Sequence, residues 1–386
     1  MYDILTLNKI AAAGLQTFHD QYNITDDCKD PDGIILRSFS MHDMELSENL
    51  KAVARAGAGI NNIPVDKCSE KGIVVFNTPG ANANAVKELV IAALLISSRD
   101  VVGGINWAAS LKGQGAQVAK AVEKGKSAFA GPEIQGKTLG VIGLGAIGVM
   151  VANAAHSLGM EVLGYDPYIS VDAAWGLSRS VIHVNNLNEL LGKCDYITMH
   201  VPLLDDTREM INAEKIALMK DHVRILNFSR NELVNNQDLL KALADGKVAK
   251  YITDFPSDDL LGIDNIICVP HLGASTPESE ENCAVMASLE LKDYLENGNI
   301  VNSVNFPNCS MPRETVARVC VMHKNIPNML SQISNAVAQE KINIETMINK
   351  SKGDYAYTML EICDKSEKVC DVIEKIDGVI RVRIIF

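Results

Sequence analysis

The sequence predicts an α/β chain: two parallel-sheet domains, the first discontinuous, followed by a small βαββαβ module. Three observations predict it. Short apolar runs alternate with helical patterns along most of the 386 residues, the pattern of repeated strand–helix–strand units. The stretch Lys137 to Asp166 holds an apolar run, a glycine-spaced turn, an Ala/Val-rich helix and a second apolar run, in that order. Beyond a Pro/Asn-rich segment, the pattern changes to paired strands separated by two helices.

At this length two or three domains are expected, each able to bury its own core. A hydrophobic content of 47% with 22% charged residues fits an ordinary globular protein. The formal net charge of −12 argues against a nucleic-acid or anionic-membrane partner. An anionic substrate would therefore need a locally cationic pocket. No apolar run reaches the length of a membrane span and no leader pattern opens the chain, so a cytoplasmic protein is expected. The nine cysteines include no CxxC and lie singly in mostly apolar contexts. They read as reduced, buried small residues, and no metal site is expected.

In chain order, strands are expected at Tyr2–Leu7, Ile34–Leu36, Ala52–Ala54 and Ile73–Phe76, with a helix over Lys9–Gln21. Two loops at strand ends carry chemistry: Arg37 with Ser38, and the glycine-rich stretch Gly57 to Asn62. Free amides in such turns suit a carboxylate or phosphate. A solvated arginine and an ordinary turn are the plain alternative. Asn77 to Asn82 is a loop by composition, and the apolar helix Val86–Ser98 leads out of the first domain. Residues 103–132 show no clear strand and one short helix around Ala116–Lys124.

The stretch Lys137 to Asp166 then reads as a Rossmann-like, dinucleotide-binding unit. Gly143 permits the tight turn, Gly145 admits a pyrophosphate, and Gly148 lets the helix pack close to the strand. Amides at the helix start, those of Ala146 and Ile147 among them, would hold the phosphates. Asp166 lies 18 residues after Gly148, where its carboxylate would bind both ribose hydroxyls and repel a 2′-phosphate. NAD is therefore expected over NADP.

Further strands are expected at Asp195–Met199, Arg224–Phe228, Lys250–Thr253 and Ile266–Val269. They run into His200-Val201-Pro202, Ser229-Arg230, Asp254 and Pro270-His271. Ligands of open parallel sheets bind beyond the carboxyl ends of the strands, so these residues should share one crevice. Oxidising an alcohol beside a carboxylate needs an anchor and a base. Arg230 can clamp the carboxylate, and His271 can take the hydroxyl proton. A carboxylate on the other ring nitrogen would orient His271, and Asp258 and Asp259 are the candidates.

Past His271, a helix over Glu278–Asn297 returns to the first domain and Asn305–Pro312 reads as a linker. Val316–Val321, Ile344–Ile348, Tyr355–Ile362 and Val379–Ile385 read as strands, Pro327–Gln339 and Lys365–Ile376 as helices. This is a ferredoxin-like βαββαβ order without a catalytic constellation. The domains expected are 1–82, 83–272, 273–312 with the first, and 313–386.

Gly143 to Gly148 with Asp166, His200-Val201-Pro202-Leu203, Asn227 to Arg230, Thr253 to Pro256 and Pro270 to Thr276 together resemble D-2-hydroxyacid dehydrogenases. Val319 to Pro327 with Asn343 resembles an ACT regulatory domain. The pairing resembles the members of that family that open L-serine biosynthesis, and implies NAD-dependent oxidation of 3-phospho-D-glycerate to 3-phosphohydroxypyruvate. The resemblance places Arg230 on the substrate and makes His271 the acid/base. It places Asp254 near the nicotinamide, with His200, Val201, Pro202, Thr207, Ser229 and Gly273 around the cofactor. Arg37 and Ser38 become phosphate contacts, and Ala58, Gly59 and Asn82 carboxylate contacts. His323, Asn325 and Asn343 become contacts for L-serine as effector, and a homodimer or homotetramer is implied. A dehydrogenase for another D-2-hydroxyacid, or a non-catalytic NAD sensor, are the alternative readings.

Overall fold

The apolar runs of the first 270 residues become strands of two all-parallel sheets. The computed structural model describes residues 1–386, divided into two units, 1–82 with 277–386, and 83–276.

In the first unit, β1 (Tyr2–Leu7), β2 (Tyr22–Thr25), β3 (Gly33–Leu36), β4 (Ala52–Arg55) and β5 (Val74–Phe76) form a sheet in the order β2-β1-β3-β4-β5. Its strands are buried on both faces, as parallel strands are. Ile4, Ile35, Ala54 and Phe76 pack on Leu291, Tyr294 and Leu295 of the 21-residue return helix Pro277–Asn297. The other face, with Leu5, Ile34, Leu36 and Val75, packs on Met41, Leu50 and Ile63. The helix expected over Lys9–Gln21 shrinks to Ala12–Leu15, followed by the edge strand β2, which was not expected. Thr17 Oγ1 donates to Gly14 O at 2.7 Å, a local bond that competes with helix continuation. A Cβ on Gly14 would lie 2.6 Å from Ala284 C, so glycine here lets the two helices touch.

The C-terminal residues of the same unit form β13 (Ala317–Lys324), β14 (Ile344–Lys352), β15 (Tyr355–Ile362) and β16 (Val379–Ile385), an antiparallel sheet ordered β14-β15-β13-β16. Helices Met329–Gln339 and Lys368–Ile373 complete the βαββαβ order. Alternation along β13 splits its side chains between two cores. Val319 and Val321 face the module's helices, whereas Cys320 and Met322 join Tyr357, Met359 and Ile385 in the core of the first sheet.

The expected linker is part of that packing. Phe306 and Cys309 are buried. Asn305 accepts from Val75 N at 2.9 Å and donates to Ile73 O at 2.9 Å, and Ser303 bridges Phe76 in antiparallel fashion. The segment thus covers the β5 edge, whose unpaired amides would otherwise be open.

Glu290, on the return helix, gives a stability prediction. Its Oε1 accepts from Asn302 Nδ2 at 2.7 Å, while its buried Oε2 has no partner. Burial pushes its pKa from 4.5 up to about 8 against the pull of Asn302. The native state therefore keeps a proton that the unfolded chain has released, and stability falls as pH rises from about 4.5 to about 8. Glu290→Gln should gain over the wild type across this window and level off above it. The gain is on the order of 2 kcal/mol after allowance for partial exposure, read as thermal midpoints from pH 5 to 9.

In the second unit, β6 (Thr138–Ile142), β7 (Glu161–Tyr165), β8 (Ile182–His183), β9 (Tyr196–Met199), β10 (Val223–Asn227), β11 (Val248–Thr253) and β12 (Ile266–Cys268) form a sheet in the order β12-β11-β10-β9-β6-β7-β8. The short edge strand β8 was not expected. The strand order reverses between β6 and β9, which opens a crevice beyond their carboxyl ends. Residues 103–132, of unassigned role in the sequence, fall in helices Val101–Ser110 and Val118–Gly125 with short 3-10 turns. No helix is long and apolar enough to cross a membrane.

Candidate active site

The glycine turn after β6 has the geometry its spacing implies. Gly143 adopts φ +89°, and a Cβ there would lie 2.6 Å from His200 O. A Cβ on Gly148 would lie 1.9 Å from Gly143 O, so only glycine lets helix Ala146–Ser157 sit this close to the turn. Nothing lies within 4 Å of the Cβ position of Gly145. The first helical bond runs from Val149 N to Gly145 O at 3.0 Å, and no side chain caps the helix. The amides of Ala146, Ile147 and Gly148 therefore face the open side, ready for an anion.

Asp166 follows β7. Its Oδ2 accepts from Leu144 N and its Oδ1 from Tyr168 N, both at 2.8 Å. Each oxygen keeps a further lone pair for a ribose hydroxyl. Asp166→Ala should narrow the NAD over NADP preference in kcat/KM by roughly tenfold or more, chiefly through KM for NAD. Steady-state kinetics with both cofactors check this.

At the end of β9, His200 lies with Nε2 3.0 Å from Thr198 Oγ1. Burial drives its pKa down to about 3 and keeps the ring neutral. His200 Nδ1 and Asp254 Oδ1 are buried without partners. Orphaned polar atoms at the ends of β9 and β11, which flank β10 in the sheet, fit a ligand with matching polar groups, as a nicotinamide carboxamide has. Thr207 serves its own loop, donating to Pro202 O at 2.7 Å and accepting from Leu204 N at 2.8 Å. Val201 is half-buried beside it.

At the end of β10, Asn227 is fully buried and donates through Nδ2 to Arg230 O at 2.8 Å. Ser229 Oγ donates to Met199 O at 2.7 Å. These bonds hold the backbone of Arg230, whose side chain is exposed and donates to Ser229 O at 2.6 Å. Asn227 as the fixing residue was not singled out in the sequence. Its signal was its place, the last residue of a buried strand.

Asp254, past β11, is 2% exposed and accepts through Oδ2 from Gly273 N at 3.1 Å. His271 N donates to Asp254 O at 3.0 Å. The His271 backbone is left-handed, φ +45°, and its ring meets Phe255 edge-on at 4.9 Å between centroids. Burial raises the Asp254 pKa, opposed by the Gly273 amide and by the charges of His271 and Arg230. One buried carboxylate thus lies within electrostatic reach of both the imidazole and the guanidinium.

Asp258 and Asp259, expected to orient His271, make no hydrogen bond to its ring. Asp259 accepts from Ser257 Oγ at 2.5 Å and Asn236 Nδ2 at 2.9 Å, and these two bonds hold its carboxyl below the ordinary range. Asp258 is exposed. The loop folds back on its own serine instead, and the carboxyl whose pKa the charge of His271 lowers is that of Asp254.

In the first unit, Arg37 Nη1 lies 2.8 Å from Glu280 Oε1, so the phosphate candidate is ion-paired. The amides of Ser38 and Phe39 donate to Asn8 Oδ1 at 3.2 and 2.6 Å. Arg55, which no sequence motif marks, joins the two candidate loops. Its Nε donates to Arg37 O at 3.0 Å and its Nη1 to Gly59 O. Ala58 O accepts from Asn77 Nδ2 at 2.7 Å, and Asn82 is half-buried at the last position of this part of the unit.

Residues 105–273 match the NAD-binding domain of D-isomer-specific 2-hydroxyacid dehydrogenases. D-3-phosphoglycerate dehydrogenase of Escherichia coli K12 is 31% identical over 98% of this chain and 94% of its own length. The chain belongs to the D-2-hydroxyacid dehydrogenase family. Its relative D-3-phosphoglycerate dehydrogenase of Methanocaldococcus jannaschii is 35% identical over 88% of this chain, which spans 64% of that enzyme's length. A crystal structure of NAD+-bound 3-phosphoglycerate dehydrogenase from Entamoeba histolytica superposes with a TM-score of 0.61 at 26% identity, covering 79% of this chain and 98% of that one. As a D-2-hydroxyacid dehydrogenase, the chain uses NAD.

Proposed function

We propose that the chain oxidises 3-phospho-D-glycerate to 3-phosphohydroxypyruvate with NAD, the opening step of L-serine biosynthesis. The observation that carries the reading is that Arg230 and His271 follow strands of one sheet, with the His271 backbone bonded to Asp254 O at 3.0 Å and the charges of both residues lowering the pKa of the buried Asp254 carboxyl. Arg230 clamps the substrate carboxylate and polarises the C2 oxygen. His271 takes the hydroxyl proton as the C2 hydrogen leaves with its electron pair. Bound NAD supplies the hydride acceptor, held by the amides of Ala146 to Gly148, by Asp166, and by the polar atoms of His200 and Asp254. Gly273 N holds the Asp254 carboxylate in place for this. The names of the relatives support the phosphorylated substrate, and Arg37 with Ser38 and the Ala58–Gly59 loop supply candidate contacts for its two anionic ends.

One observation favours a second reading. Arg37 is engaged by Glu280, which would suit an unphosphorylated D-2-hydroxyacid. Steady-state kinetics with 3-phosphoglycerate, D-glycerate and D-lactate decide. The first reading expects the phosphorylated acid to lead by roughly tenfold or more in kcat/KM. Equal rates remove it.

The C-terminal βαββαβ sheet is proposed as an ACT module that lowers activity when L-serine binds. His323 is buried, with Nδ1 2.8 Å from Lys324 O and Nε2 2.9 Å from Thr358 Oγ1. Its role is therefore to support the loop, leaving exposed Asn325 and Asn343 as the contacts. Calorimetry without serine binding at millimolar concentration removes this part. A homo-oligomer is proposed as well. Exposed Leu95, Val101, Val102 and Ile105 on consecutive helices favour it, and a light-scattering mass above 41.8 kDa tests it.

A further inference from the structure

Where the C-terminal sheet meets the segment after the return helix, the first unit holds an open depression of about 510 Å³. Lys350 and Lys352 line it from β14, Asn302, Ser303 and Asn308 from that segment, and Asn77 from the loop after β5. No carboxylate lines it, on a chain whose formal net charge is −12. The two lysines stand two positions apart on one strand and so project to the same face. Ile348, on that face, packs into the core shared with the first sheet. The ammonium groups therefore stand where apolar packing ends. Lys352 Nζ donates to Ser303 O at 2.9 Å, which fixes one cation across the depression. Asn308 Oδ1 accepts from Asn302 N at 3.0 Å, leaving the Asn308 amide group as a donor.

The wall of the depression is bonded to a loop of the candidate substrate site. Asn77 N donates to Asn302 O at 3.5 Å, and Asn77 Nδ2 to Ala58 O at 2.7 Å. Next to it, Thr78 N donates to Gly57 O at 3.2 Å. Whatever holds Asn77 in place also holds the Gly57–Asn62 loop.

We propose that this depression is an effector site for a small dianion, of the phosphate or dicarboxylate class, and that its occupancy stiffens the Gly57–Asn62 loop through Asn77. Two compact ammonium charges with amide donors beside them match two negative charges on a small ligand. The depression shares no lining residue with the serine contacts proposed above, although Asn325 Nδ2 donates at 3.0 Å to the carbonyl of Gly353, next to Lys352. Its test does not depend on the reaction assigned to the chain, because neither readout is turnover.

The full chain is titrated with inorganic phosphate, and separately with malonate, at constant ionic strength set with chloride. Binding is read by calorimetry, and loop order by amide hydrogen exchange at residues 57–62. Saturable binding of at least one dianion is expected, weakened roughly tenfold or more in Lys350→Gln/Lys352→Gln. Exchange at residues 57–62 should slow about threefold in the wild type and stay unchanged in the double variant. Matching thermal midpoints show that the variant is folded. No saturable binding overturns the site. So does binding that survives in the double variant but is lost in Arg37→Gln, which would place the anion at the substrate pocket. Lysine-dependent binding with unchanged exchange keeps the site and overturns the link through Asn77.

Discussion

His271→Asn should lower kcat/KM for hydroxyacid oxidation roughly 10²- to 10⁴-fold while leaving the fold intact. Asparagine is the right replacement because residue 271 is left-handed, at φ +45°. Histidine and asparagine tolerate that region, whereas alanine or leucine would add backbone strain to any catalytic loss. The backbone bond from residue 271 N to Asp254 O needs no side chain and persists. What disappears is the imidazole whose charge, with that of Arg230, works against the burial of Asp254. If His271 is the base, the loss falls on kcat and kcat/KM together, because proton transfer is a transition-state contribution. Arg230→Lys should behave differently. The guanidinium fork becomes a point charge, so KM for the hydroxyacid rises more than kcat falls. Asp259→Asn should stay within about threefold of the wild type, because that carboxylate is bonded to Ser257 and Asn236 rather than to the base. A His271→Asn enzyme that turns over at the wild-type rate, or an Asp259→Asn enzyme that loses as much as His271→Asn, ends the assignment of the base.

What could be read in advance follows from the range of the forces involved. Gly143, Gly148 and Asp166 were legible because a tight turn, a close helix and a strand end are demands made within thirty residues of sequence. The strand ends at His200, Arg230, Asp254 and His271 were legible because apolar runs mark buried parallel strands. The fine structure of the site was not. Whether Asp258 or Asp259 faces His271 depends on how a short loop turns, and Ser257 and Asn236 hold Asp259 away from the ring by bonds that no sequence pattern announces. β2 was hidden because it is only four residues long, Tyr22–Thr25, and follows an Ala-rich stretch that reads as helix. The segment 305–312 looked like a linker because prolines and asparagines dominate it, yet Asn305 side-chain atoms take the place of a strand backbone along β5. His323 kept its place in the motif but turned both ring nitrogens inward.

Arg318 was the least legible residue of all, and its substitution should have the largest effect on stability. It lies on β13 among Val, Cys and Met, and nothing near it in sequence announces a partner. The antiparallel register sets it opposite Glu361 of β15, and it is fully buried. All five of its N–H donors are used. Nε donates to Glu361 Oε1, Nη1 to Asn297 O at 2.7 Å and Asn299 Oδ1 at 3.2 Å, and Nη2 to Met311 O at 3.0 Å and Pro312 O at 2.7 Å. Glu361 Oε2 accepts from the amides of Glu314 and Thr315 at 3.1 and 3.0 Å and from Thr315 Oγ1 at 2.7 Å. The pair therefore ties the C-terminal sheet to the end of the return helix and to the segment before β13. Burial raises the Glu361 pKa, but the Thr315 hydroxyl and Arg318 outweigh it and leave the carboxyl below 4.5. Arg318→Met fills similar space and leaves a buried carboxylate and several carbonyls without their donor. A loss of about 3–5 kcal/mol is expected, read as a thermal midpoint lower by roughly 10 °C. The sign with pH identifies the cause. A depressed carboxyl contributes stability above its unfolded pKa and loses it as pH falls through the folded value. In Arg318→Met the carboxylate is unpaired and takes a proton more readily, so the gap between variant and wild type should shrink as pH drops below about 4.5. Arg318→Met/Glu361→Leu should recover part of the loss at pH 7, since the uncompensated charge is gone while the orphaned carbonyls remain. A single variant within about 1 kcal/mol of the wild type, or a gap that widens in acid, would mean that this charge pair does not hold the C-terminal sheet in place.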